Sequence, residues 1–179
     1  MQSETSKYRQ YSGRLATVIG AVAIAFSTYH VLYITGVLSW AGIYLDSPAH
    51  LAIHLGTIEL LLFLLIPFNK RAIKRLPWYD IAIALIGFSW NLYMVINIHN
   101  VYYRHNTGGP LLPFELVGVF VNVFIVFEAC RRTVGLAVTL ISVASLIYPL
   151  VARYMPGAFA GPDFTFDRVG RGLGLFVTG

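Results

Sequence analysis

Apolar residues dominate the chain, and they come in long blocks separated by short polar or basic breaks. Five blocks approach the ~20 residues a helix needs to cross about 30 Å of hydrocarbon. They cover residues 16–38, 49–68, 80–101, 114–129 and 133–151. Pro67 closes the second block ahead of Lys70, Arg71, Lys74 and Arg75. Pro77 and Asp80 bracket the start of the third, with Asp80 placed to meet the positive end of the helix dipole. Pro113 opens the fourth. The pattern predicts an all-α integral membrane protein, a bundle of about five transmembrane helices. Residues 1–15 precede the bundle, residues 16–152 form it, and residues 153–179 make a tail.

Composition agrees. Hydrophobic residues are 57% of the chain and charged residues 12%, whereas a soluble domain carries about 25% charged residues. The net charge of +5 is small and its basic residues sit in clusters between apolar blocks, so no basic face for nucleic acid is present. A single cysteine, Cys130, excludes an intrachain disulfide and a cysteine-based metal cluster. Lys7, Arg9 and Arg14 precede a long apolar block without a convincing small-x-small cleavage site. That block reads as a retained first span.

Lysine and arginine set the orientation. An N-terminus inside puts Lys7, Arg9, Arg14, Lys70, Arg71, Lys74, Arg75, Arg131 and Arg132 on the cytoplasmic side. Only Arg104, Arg153, Arg168 and Arg171 fall outside, nine against four. The tail is then periplasmic. Trp40, Tyr44, Tyr102 and Tyr103 suit the outer interface, and Trp78 and Tyr79 the inner one.

The stretch Glu128-Ala129-Cys130-Arg131-Arg132-Thr133-Val134-Gly135 matters most for this topology. Unless Arg131 and Arg132 reach the membrane face, the last two blocks fuse into one over-long helix carrying two arginines. On insertion scales each costs about 2.5–3.5 kcal/mol at mid-membrane. Glu128, one turn earlier, can pair with either. The group reads as a snorkelling interfacial ion pair or as a docking point for another subunit or an anionic headgroup.

Polar residues inside the spans are the next candidates. Glu59 lies mid-span in the second block, with Thr28, Asn91, Asn122 and Ser142 at similar depth. They read as a layer of interhelical hydrogen bonds, each worth about 0.6–2 kcal/mol, or as an ion or proton relay through Glu59. His50 and His54 share a helix face, with His30 in the outer half of the first span and His99 near the outer end of the third. They are bundle or interface histidines, or ligands of a haem or divalent metal. No nucleophile motif or phosphate-binding loop is present, and no enzymatic activity is expected. In the tail, Phe166, Val169, Gly170 and Leu173 fall on one helical face, which predicts a short amphipathic helix on the outer membrane surface.

Glu128-Ala-Cys-Arg131-Arg132-Thr-Val-Gly135-Leu, followed by Tyr148-Pro149 and Pro156-Gly157, resembles the N-terminal part of TAXI-type TRAP (tripartite ATP-independent periplasmic) transporter permeases. His54, Leu65-Ile66-Pro67 and Pro77-Trp78-Tyr79-Asp80 are similar to that family as well. The resemblance covers most of the chain from His30 onward. In many members this region is fused to a large permease domain, and residues 175–179 lie near where that domain would begin. The chain is thus expected to be a free-standing small subunit or part of a fused permease.

The resemblance implies a small, non-catalytic subunit in the bacterial inner membrane. Its partners would be a large transport subunit, which it scaffolds, and a periplasmic substrate-binding protein. The cargo would be an organic acid or amino acid, and Na⁺ or H⁺ coupling would belong to the partner, so no cofactor is expected in this chain. Arg104, Arg153, Arg168 and Arg171 are candidate contacts for the binding protein. One alternative is a haem-binding membrane anchor using pairs among His30, His54 and His99. Another is a self-sufficient transporter using Glu59.

Overall fold

The computed structural model describes residues 8–68, 76–106, 109, 111–162 and 164–176, and every regular element among them is helical. The helices are α1 (Arg14–Ile34), the short α2 (Val37–Trp40), α3 (Ser47–Leu65), α4 (Trp78–Asn106), α5 (Pro113–Thr133), α6 (Leu136–Val151) and α7 (Phe166–Phe176). Five of them are long and apolar enough to cross a membrane: Arg14–Ile34, Ser47–Leu65, Trp78–Val101, Pro113–Thr133 and, with its following turn, Leu136–Tyr154. Lys7, Lys70, Arg71, Lys74 and Arg75, part of the basic count above, lie outside the described residues, as do Val177, Thr178 and Gly179.

The boundaries differ from the expected blocks where backbone chemistry intervenes. The first block does not continue to Leu38 as one helix. Gly36 adopts φ 75°, a left-handed conformation that only glycine takes at little cost, and separates α1 from α2. The third block runs past Val101 to Asn106, so α4 is 29 residues long, roughly 43 Å at 1.5 Å per residue. Its extra turn carries Arg104, whose carbonyl accepts the Gly109 N–H at 2.7 Å and whose guanidinium pairs with Glu115 at the start of α5. The α5–α6 connection is only Val134 and Gly135, with Gly135 at φ 114°. That tight reversal leaves Arg131 and Arg132 in the last turn of α5, where the helix dipole favours cations.

The centre of the bundle is α3, α4 and α5. Phe63, Ala84 and Ile125 form one buried cluster, and Ala52, Met94 and Val101 another. Small residues permit the close approach, as is usual where helices pack in lipid. A Cβ on Gly56 would lie 2.7 Å from the Asn91 Cβ, and one on Gly118 would collide with the Trp90 ring. By contrast, Ile19 is the one buried residue of α1 and Thr139 that of α6, so these two helices flank the trio with apolar surfaces exposed. The tail does form a helix, α7, and that helix lies against α5. Gly170 is buried against Leu116 and Phe120 of α5, and Phe166 meets Phe120 edge-on at 6.5 Å.

Candidate functional site

Polar groups gather at four levels of this bundle. The most extensive lies where the N-terminal segment, the end of α3, the start of α4 and the end of α5 converge. The Asp80 carboxylate is fully buried and accepts from two arginines, Arg9 on Oδ2 and Arg132 on Oδ1, the latter at 2.8 Å. Arg132 also donates from Nε to Glu128 at 2.7 Å and from its terminal nitrogen to the Ile66 carbonyl at 3.1 Å. Glu128 in turn holds Arg131 through two hydrogen bonds at 2.7 and 2.8 Å. Arg9 closes the far side by donating to the Phe63 and Leu64 carbonyls, while its backbone N–H reaches the Leu65 carbonyl at 2.9 Å. Those carbonyls are the ones that α3, at its C-terminal end, leaves without intrahelical partners. Tyr11 caps Leu64 in the same way at 2.6 Å. The aromatic rings of Phe63 and Phe68 lie beneath the Arg132 guanidinium at 4.8 and 5.5 Å.

The expected pairing of Glu128 with Arg131 and Arg132 is present, but the two arginines differ. Arg131 is about one-third exposed and suits an interfacial position. Arg132 is 1% exposed at its side chain and does not snorkel. It turns inward because Asp80 is there to receive it. Neither Asp80 nor Arg9 stood out in the sequence as part of this group. Their only signal was a lone carboxylate at a helix start, facing a chain end rich in arginine.

The second level is the intramembrane layer. Glu59, Asn91 and Asn122 come together from α3, α4 and α5, each almost fully buried. The Asn91 amide nitrogen donates to Glu59 Oε2 at 3.1 Å, to the Gly87 carbonyl at 2.9 Å and to Asn122 Oδ1 at 3.4 Å. Thr28 and Ser142 do not join. Thr28 is exposed on α1, and Ser142 donates back to the Val138 carbonyl of its own helix. Equal depth in the sequence did not place them on inward faces.

The third level joins α1 to α3. Tyr29 hydrogen-bonds His50 Nδ1 at 2.8 Å, Tyr33 stacks on the His50 ring at 3.6 Å, and His30 Nε2 pairs with His54 Nδ1. His99 stands apart, exposed and 3.8 Å from Asp46. His30 and His54 contact one another directly, and His99 does not join them. Among the described residues no group of three or more His, Cys, Asp or Glu is placed to hold a metal ion. At the fourth level, near the opposite end of the bundle from Asp80, buried Glu115 accepts from Tyr93 at 2.8 Å, from Arg104 and from the Leu112 N–H at 2.9 Å.

The remaining candidates lie in the tail. The Arg153 guanidinium sits 4.8 Å from the Tyr154 ring, and that of exposed Arg168 sits 4.9 Å from Phe164. The Arg171 side chain lies outside the described residues. These positions are not brought together with Glu128 and Arg131. α7 meets α5 at Leu116 and Phe120, just after Glu115, the partner of Arg104.

Five membrane-length helices tied by polar layers are the architecture of a multi-pass helical membrane protein. Compared with protein-family models, curated proteins and solved structures, the chain matches none.

Proposed function

We propose that this chain is the small, non-catalytic membrane subunit of a TAXI-type TRAP secondary transporter, or the corresponding region of a fused permease. It would hold a large transport subunit in the bacterial inner membrane, with its N-terminus cytoplasmic. The observation that carries the scaffold reading is the network centred on Asp80. Three arginines and two carboxylates lock the N-terminal segment, α3, α4 and α5 together at one end. A rigid brace is built in this way, whereas a moving transport element needs an interface free to slide.

The family resemblance of the 128–135 stretch supplies the identity of the partner. The apolar flanks of α1 and α6 supply a surface of the right chemistry for it, with Val18, Ile24, Val31, Leu140 and Ile141 all turned outward. The tail, with Arg153, Arg168 and Arg171, and the nearby Arg104 would face the periplasmic binding protein. Substrate and coupling-ion transport would belong to the large subunit.

The experiment is photo-crosslinking in native membranes. A photoreactive residue at Val18, Ile24 or Ile141 is expected to yield an adduct with one discrete, larger membrane protein. Adducts with lipid alone at all three positions would overturn the reading.

A further inference from the structure

Glu59 has a chemical environment that its role as a helix-helix bond does not account for. Its side chain is 1% exposed, one carboxylate oxygen accepts from Asn91, and the other, Oε1, has no hydrogen-bond partner. The Asn91 carbonyl oxygen beside it is also buried without a partner. Around the Asn91 amide nitrogen, three oxygens from Glu59, Gly87 and Asn122 share two hydrogens. Glu59 Oε1 and the Asn91 side-chain oxygen are thus two buried acceptors to which no donor is brought.

An isolated carboxylate in such surroundings is costly and does not stay uncompensated. The other buried carboxylates solve the problem with arginine, Asp80 through Arg9 and Arg132, and Glu115 through Arg104. Among the described residues no arginine or lysine pairs with Glu59. What the cluster lacks is one unit of positive charge presented to oxygen atoms.

We propose that Glu59, Asn91 and Asn122 form an occluded site for one monovalent cation, Na⁺ or a proton, held among α3, α4 and α5. Oxygen-only donors of carboxylate and amide type suit a hard cation and not a soft metal. The occlusion follows from packing. Phe63, Ala84 and Ile125 close the layer on the side of Asp80, and Ala52, Met94 and Val101 on the other. Gly87 is part of the site, since a Cβ there would lie 2.5 Å from Glu59 Oε2. This inference does not depend on the scaffold reading. A chain that binds no large subunit could still hold the cation, and a chain without the cation could still brace a partner.

The test uses the purified full chain in lipid nanodiscs. One arm titrates NaCl against choline chloride at constant ionic strength and follows binding by calorimetry. The other records the infrared carboxylic-acid C=O band in Na⁺-free buffer across pH. The expected result is either saturable binding of one Na⁺ per chain or a protonated-carboxyl band, lost in Glu59→Gln in both cases. Which arm responds identifies the cation. Asn122→Ala, which keeps the carboxylate, is expected to weaken Na⁺ binding by about tenfold or to shift the band. Glu59→Asp assigns the signal by a shifted band or affinity should Glu59→Gln fail to fold. A wild-type chain that neither binds Na⁺ nor shows a Glu59-dependent band overturns the proposal.

Discussion

Asp80 and Arg132 lie 52 positions apart, yet their side chains meet at 2.8 Å with both sealed from solvent. Asp80 begins α4 and Arg132 ends α5, so the contact fixes two antiparallel helices at the same end. Removing one partner of a buried ion pair leaves an uncompensated charge, which costs about 3–5 kcal/mol. Asp80→Asn removes the charge that Arg9 and Arg132 share, leaving Arg132 with Glu128 and Arg9 with backbone carbonyls. It is expected to lower the thermal midpoint of the purified protein sharply, whereas Arg131→Gln, at a partly exposed position, should cost about 0–1 kcal/mol. Equal shifts for the two variants in a thermal unfolding series would show that Asp80 is no keystone.

Glycine substitutions test the close approach of the three central helices. Gly118→Ala would drive a methyl into the Trp90 ring, and overpacking of this sort costs about 1–3 kcal/mol. Gly20→Ala on α1, where a Cβ meets nothing within 4 Å, is expected to be neutral or slightly stabilising, because alanine is the better helix former. Thermal stability in detergent separates the two. A harmless Gly118→Ala would contradict the packing of α4 on α5.

The docking of α1 leans on its tyrosines and His30, since Ile19 is its one buried side chain. Replacing Tyr29 and His30 together by phenylalanine and leucine removes the bonds to His50 and His54. Faster hydrogen–deuterium exchange confined to α1 is the expected outcome. Unchanged protection there would mean that lipid and the Arg9 anchor alone hold the helix.

Membrane orientation is open to direct labelling in a Cys130→Ser background. Cysteines at Trp40 and Tyr154, both largely exposed, should react with an impermeant thiol reagent added outside intact cells. Cysteines at Tyr8 and Val134 should react only after permeabilisation. The reverse pattern would invert the topology and move the tail away from any periplasmic protein.

Much of the fold was legible because membrane helices announce themselves by length and apolarity alone, and all five blocks became helices. The breaks that shifted their ends came from single residues, Gly36 in the first block and Arg104 beyond the third. The candidate sites were less legible. Glu128, Arg131 and Arg132 could be paired from helical spacing, being three and four residues apart. The partnership of Asp80 with Arg9 and Arg132 could not, since it spans 71 and 52 positions and depends on which helix ends converge. Depth counting grouped Glu59, Asn91 and Asn122 correctly but included Thr28 and Ser142. Depth fixes height along a helix, and only packing fixes which face turns inward.

Whether the chain braces a larger transport subunit is decided by its native mass in the membrane. Extracted in mild detergent from its own membranes and measured by native mass spectrometry, the 19.9 kDa chain is expected to appear in a stoichiometric complex with a much larger hydrophobic protein, or as one region of a larger fused chain. A stable, monodisperse species at 19.9 kDa with no such partner would contradict the account.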